Sequence, residues 1–228
     1  MKQAELNKLL NAALKQSAQG RGWKCSRGFL FKSTDLLFFS MIILGQVKQR
    51  HLSYSLSYKL LAFDDLFWKI VKLEENRNQP LSFRAHGAWT APMTTISDGE
   101  LSVADWNAAN LQVGVHEFIT RGELDAERVT KEIEGLDDNL RVIERFYVHL
   151  KDKYPSAVTN IWRERLFTSI LKEEYRDSER IVRERLNSKD SGGFQVGNKS
   201  FYDLASEHLQ SVIVTKTHNN TLQPPNRA

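Results

Sequence analysis

Hydrophobic residues fill both parities of the stretch Leu36–Gln46, LLFFSMIILGQ. The run is too short for a membrane span, which needs about 20 apolar residues. Taken alone it fits a buried helix as well as a buried strand. The following segment separates the two. In HLSYSLSYKL, Leu52, Tyr54, Leu56, Tyr58 and Leu60 share one parity, and Ser53, Ser55, Ser57 and Lys59 share the other. Period-two alternation with β-favouring tyrosines predicts an antiparallel strand with one wet face. Upstream, GFLFKST offers a shorter strand with Phe29 and Phe31 on one side, and Lys32–Asp35 supply a turn. The three segments make a meander, and its central strand is buried on both faces.

The flanking pattern is mostly helical. Leu6, Leu9, Leu10, Ala13 and Leu14 repeat at helical spacing over residues 3–18, and Gly20 and Gly22 end the segment. Asp64 or Asp65 caps a helix carrying Leu66, Phe67, Ile70 and Leu73. LSFRAHGAWT alternates and predicts a fourth strand, stopped by Pro92. A short helix is expected around Trp106 and a further strand over Leu111–Ile119, where Leu111, Val113 and Val115 share a parity. From Asp125, taken as a cap, the character becomes helical, with a break at Gly135 and a stripe from Leu136 to Leu150. Ser156 starts the next helix, expected to continue through Tyr175 to Leu186. A turn at Gly197-Asn198 follows, then a helix over 201–212 capped by Ser200.

This order predicts an α+β fold. An antiparallel meander sheet is packed by the N-terminal helix and followed by a helical C-terminal half. The sheet domain is expected over residues 1–122. A helical region over 123–214 packs on it or shares its core, and a polar tail over 215–228 is expected to be disordered.

The N-terminal half resembles a bacterial domain-of-unknown-function family of small α+β proteins. The likeness lies in the order and phrasing of residues 3–90. An amphipathic helix ends near GRGWKCSRGFLFKS, a hydrophobic strand ends in Gln46, an alternating strand follows, and then comes DDLFWKIV. The segment MTTISDGELSVADWNAAN and the helical half depart from it. The resemblance implies a setting in bacterial defence or toxin immunity, and it brings no catalytic residues.

Charge changes the picture more than composition does. The 228 residues carry a net charge of +4, but residues 1–60 hold ten Lys/Arg against two acids, a net of +8 that leaves −4 for the rest. Such asymmetry marks either a solvated basic edge or a surface for an acidic partner or nucleic acid. The candidate nucleic-acid residues are Lys15, Arg21, Trp23, Lys24, Arg27, Lys48 and Arg50. Basic side chains pair with phosphates and aromatic ones stack on bases. Phe29, Phe31, Tyr54 and Tyr58 are expected in the core, which leaves Trp23 as the free aromatic.

No motif names a reaction. The chain lacks both G-x-x-x-x-G-K-[ST] and G-x-G-x-x-G, and it has no G-x-S-x-G elbow. The six histidines form no short metal-binding spacing, although His86 and His116 fall on candidate strands that folding could bring together. The single cysteine, Cys25, excludes an internal disulfide. Lys24 and Arg27 beside it would lower its pKa. The mixed Arg/Glu pattern over Trp162–Asn187 reads as a solvated helix face or a partner-binding one. No metal, cofactor or membrane contact is expected, and the start of the chain lacks a signal-peptide core, which predicts a cytoplasmic protein. The leading expectation is a stoichiometric protein binder, an immunity or defence accessory factor. The alternative is a nucleic-acid module using the basic edge, and the third reading is a hydrolase or nuclease with dispersed site residues.

Overall fold

The computed structural model describes residues 1–85, 89–153, 155 and 161–221. The chain divides into two compact units. One comprises residues 1–64 and 78–134, the other residues 65–77 and 135–228. The fold is α+β, with an antiparallel sheet packed by the N-terminal helix and a helical C-terminal half.

The first unit is built on a five-stranded antiparallel sheet in sequential order. Its strands are β1 (Lys24–Ser26), β2 (Phe29–Ser33), β3 (Leu37–Gln46), β4 (His51–Leu60) and β5 (Thr94–Ser102). The stretch LLFFSMIILGQ is the middle strand, with Leu37 opposite Leu60 and Gln46 opposite His51. Residues 37–41 are buried on both parities, as a doubly covered strand requires. Helices α1 (Gln3–Ala18) and α3 (Ala108–Glu132) pack on one face of the sheet and on each other. Between α1 and α3 in chain order lies α2 (Leu61–Val71), and the division between the two units falls within it. Near the start of α1, the Gln3 side-chain amide donates to the Gly45 carbonyl at 2.8 Å, which anchors the helix to the end of β3.

The other face of the sheet is covered near Phe38 by a segment that the alternation predicts as a strand. Leu81–Ala85 is instead a 3-10 turn. Its anchor is a buried ion network. Asp64 accepts from Lys59 Nζ at 2.8 Å, from the Ala91 N–H at 2.8 Å and from Arg84 Nη1 at 2.9 Å. Lys59 Nζ also donates to the carbonyls of Arg84 at 2.9 Å and Ala91 at 3.3 Å. Lys59 therefore does not stand on a wet face: it is buried with its charge compensated. Asp64 is no helix cap either. It lies in the first turn of α2, and its carboxylate is directed to this network.

Two further expectations fail in this unit. The short helix expected around Trp106 does not form, since residues 103–107 are an irregular link between β5 and α3, and residues 111–119 belong to α3, not to a strand. Helix α3 runs through Asp125, which caps nothing. Its N-cap is Asn107, whose side chain accepts from the Asn110 N–H at 2.9 Å.

The second unit holds the end of α2 and four more helices: α4 (Leu136–Lys153), α5 (Ile161–Leu171), α6 (Tyr175–Asn187) and α7 (Phe201–Thr221). A two-strand hairpin, β6 (Gln195–Val196) and β7 (Lys199–Ser200), turns at Gly197-Asn198 as expected. The helix expected to run unbroken to Leu186 is interrupted at Lys172–Glu174, where Glu173 adopts φ +61°. Helix α7 extends past the expected end at Val212, and Ser156 lies outside the described residues. Phe67 packs edge-on to Phe194 at 5.0 Å and stacks on Phe201 at 6.1 Å; Phe167 meets Phe201 edge-on at 5.7 Å. These rings form the centre of the unit's core. Among the described residues no helix is long and apolar enough to cross a membrane.

Candidate interaction surface

Helix α3 positions the surface. Its 25 residues give it a length of about 37 Å. Leu111, Val115, Phe118, Ile119, Ala126 and Val129 recur at helical spacing and are buried. Phe118 packs tilted against Tyr54 with ring centres 4.5 Å apart, and the Tyr54 hydroxyl bonds Ser97 at 2.6 Å. Two glycines let the helix lie directly on the strands. A Cβ at Gly114 would stand 2.8 Å from Leu52 Cδ1, and one at Gly122 would stand 2.0 Å from Met41 Cε. The buried stripe is thus fixed by close approach, and the opposite stripe is directed outward.

That outward stripe carries Val113, Glu117, Thr120, Arg121 and Leu124. Val113 is 68% exposed and Leu124 is 65% exposed, the two highest values for large hydrophobic side chains among the described residues. Between them Arg121 Nη2 donates to Glu117 Oε1, one turn away. Two shallow depressions border Val113. One, of about 500 Å³, lies along α3 over Gln112, His116, Glu117, Thr120 and Arg121. The other, of about 310 Å³, runs between α3 and the β4–β5 edge over Leu52, Leu101 and Val103.

The stripe is flanked by a polar clamp. Gly20 (φ +72°) and Gly22 (φ +73°) turn the chain after α1 and bring Arg21 against α3. Its Nε donates to both carboxylate oxygens of Glu123 at 3.1 Å, and its Nη2 donates to Thr120 Oγ1 at 2.8 Å. Nη1 lies 3.3 Å from His116 Nδ1. Lys32 lies nearby, its ammonium 4.8 Å over the Trp23 ring. Burial lowers the pKa of Lys32, opposed by the charges of Glu123 and Glu127.

The seven sequence candidates therefore do not form one surface. Arg21 is engaged with Glu123, and Trp23 is only 5% exposed, so it offers no stacking face. Lys15 and Lys24 are exposed on α1 and β1. Arg27 and Arg50 take left-handed backbone angles in the β1–β2 and β3–β4 turns. Because β2 begins opposite Ile42 and β3 ends opposite His51, those two turns lie at one end of the sheet. Arg27, Lys48 and Arg50 are exposed there, and none makes an ion pair among the described residues.

The residues considered for catalysis fare similarly. His116 lies on the outer side of α3, and His86 lies outside the described residues. The Cys25 thiol is pushed up by burial, which outweighs the lowering by Lys15, so it is not the activated thiolate that its basic neighbours imply. In the helical unit, Arg165 and Arg185 stack over Trp162 at 4.8 and 4.2 Å. Arg163 is buried there, its pKa lowered by desolvation against the charge of Glu164. Burial likewise raises the pKa of Tyr202. Arg163 and Tyr202 sit in a packed interior, whereas Trp162, Arg165 and Arg185 are half-buried at its border.

The outer stripe of α3 escaped the sequence reading because Val113 shares a parity with Leu111 and Val115. The signal that would have found it is the competing helical stripe Leu111, Val115, Phe118, Gly122, which leaves Val113 and Leu124 on the other side. Comparison of the chain with family models, with curated proteins and with solved structures returns no match.

Proposed function

We propose that this protein is a stoichiometric protein-binding module whose docking surface is the outer stripe of α3. The observation that carries the reading is the pair of exposed aliphatic side chains, Val113 and Leu124, set on a helix held rigidly to its sheet, with shallow depressions beside them. Exposed aliphatic side chains with an ion pair set between them give one helix face both apolar and charged groups for a partner. The resemblance of the N-terminal half adds a bacterial immunity or defence setting; the geometry supports binding alone. The test is capture from native lysate by tagged protein, washed at high salt after nuclease treatment. A partner retained by the parent chain and lost by Val113→Arg and Leu124→Arg supports the reading. Retention that both variants preserve sinks it.

A second reading rests on a different observation, the exposed Arg27, Lys48 and Arg50 at one end of the sheet. There the protein would hold a nucleic-acid backbone by charge. Binding to an oligonucleotide should then weaken linearly on a log scale as salt rises. The triple variant Arg27→Glu, Lys48→Glu, Arg50→Glu should abolish it.

A further inference from the structure

We propose that the occupant of the α3 stripe is a second copy of the same chain, docked antiparallel across a two-fold axis that crosses the outward stripe midway between Glu117 and Arg121. This deepens the binding reading above and rests on it.

The argument comes from the order of residues along the stripe. From N- to C-terminus it runs aliphatic, acidic, basic, aliphatic: Val113, Glu117, Arg121, Leu124. In a two-fold interface, if residue i meets residue j, then j meets i. Laid antiparallel on itself about its midpoint, this stripe places Val113 against the partner's Leu124 and Leu124 against the partner's Val113. The same register places Glu117 against the partner's Arg121, and the reverse. At 100° per residue Glu117 and Arg121 lie on the same edge of the stripe. A two-fold axis perpendicular to both helices keeps like edges together, so all four charges meet in one row.

The alternative geometry fails on charge. A parallel two-fold pairing runs its axis along the helices, which sends the charged edge of each copy to opposite sides and leaves Glu117 and Arg121 with no opposite charge to meet across the contact. The intrahelical pair need not be broken in the antiparallel arrangement. Each Arg121 fork has further donors beyond the one engaged with Glu117, and these face the partner's carboxylate. The apolar segment spans about 17 Å along the helix. That is a short contact, so the association is concentration-dependent rather than obligate.

The experiment is sedimentation velocity across a concentration series on the full chain, with charge reversals on exposed side chains of α3. The parent chain is expected to form a dimer as concentration rises. Glu117→Arg and Arg121→Glu should each weaken dimerisation by tenfold or more. Mixing the two single variants should restore association, because one then presents only positive and the other only negative charge. In a Cys25→Ser background, Val113→Cys mixed with Leu124→Cys should form a mixed disulfide, and Val113→Cys alone should form far less. A parent chain that stays monomeric throughout overturns the proposal, as does a dimer indifferent to the reversals or one in which Val113→Cys cross-links to itself as readily. Circular dichroism melts of each variant separate loss of association from loss of fold. The lysate capture described above reads the broader proposal independently: a monomer that still captures a partner through Val113 and Leu124 refutes the second copy and keeps the binding module.

Discussion

Arg21 and Glu123 stand 102 positions apart in the chain, yet the guanidinium of one closes as a fork on the carboxylate of the other. Charge-assisted bonds of this kind are roughly twice as strong as neutral ones, and the planar fork sets direction as well as distance. The pair fastens the turn after α1 to α3 on a partly exposed site. Arg21→Ala is expected to destabilise the first unit by about 1–2 kcal/mol. Arg21→Lys should recover little, because an ammonium lacks the fork. Denaturant melts of both variants check this, and a lysine that restores full stability would refute the directional role.

Lys59 and Asp64 give a larger expected effect. Both side chains are essentially removed from solvent. Taking away Asp64 leaves the buried Lys59 ammonium on the carbonyls of Arg84 and Ala91 without this carboxylate, at a cost of about 3–5 kcal/mol, whereas taking away Lys59 leaves Asp64 still paired with Arg84 at 2.9 Å. Asp64→Ala should therefore be severe, and Lys59→Met clearly less so. The double variant Lys59→Met, Asp64→Leu should lose less than the sum of the two. A double-mutant cycle by urea denaturation measures the coupling.

In the helical unit the expectation has the opposite sign. Asn139 is fully buried, and neither end of its side-chain amide has a hydrogen-bond partner among the described residues. A buried amide without partners costs about 1–3 kcal/mol. Asn139→Leu keeps the branching and the heavy-atom count, removes the unpaired amide and improves helix propensity. Thermal unfolding should show a raised Tm. A lowered Tm would mean that the site holds a water or polar contact that matters.

Helix α7 carries a pH-dependent cap. Ser200 Oγ accepts from the Asp203 N–H at 3.2 Å, and Asp203 Oδ2 accepts from the Ser200 N–H at 2.8 Å and its hydroxyl at 2.6 Å. This is a reciprocal capping box. The bonds to Ser200 hold the Asp203 carboxyl below its ordinary value. A depressed carboxyl contributes stability that is fully present above its unfolded pKa. That contribution is lost as pH falls through the folded one. Stability of the helical unit should drop on acidification below the ordinary carboxylate range, and Asp203→Asn should flatten that part of the profile. Ser200→Ala should cost about 1 kcal/mol at neutral pH.

The central strands were legible because their periodicity has only one solution. Ten residues alternating Leu and Tyr with Ser admit a strand and nothing else, and β3 follows from β4. The 3-10 turn at Leu81–Ala85 was not, because five residues are too few for alternation to distinguish a strand from a tight turn. Strand β5 was hidden for another reason. TTISDGELS has hardly any apolar side chains, and it joins the sheet through backbone pairing with β4 at the edge. The break between α5 and α6 has no glycine or proline to announce it, since Glu173 itself takes the left-handed angle. As for the surface, Val113 produced a false period of two because it serves the outside of α3 while its neighbours serve the inside. Clustering of the basic residues could not be judged before Arg21 was seen to reach Glu123.

The helical unit takes residues 65–77 from the interior of the sheet unit's sequence. Phe67, whose ring meets Phe194 and Phe201, arrives with that loan. A gene fragment starting at Gly135 would therefore encode helices without one of their central rings, and a fragment ending at Glu134 would leave Phe67 without those partners. Three passages of chain, at 64/65, 77/78 and 134/135, link the units. Neither unit is one continuous stretch of chain, so neither can be removed by one cut.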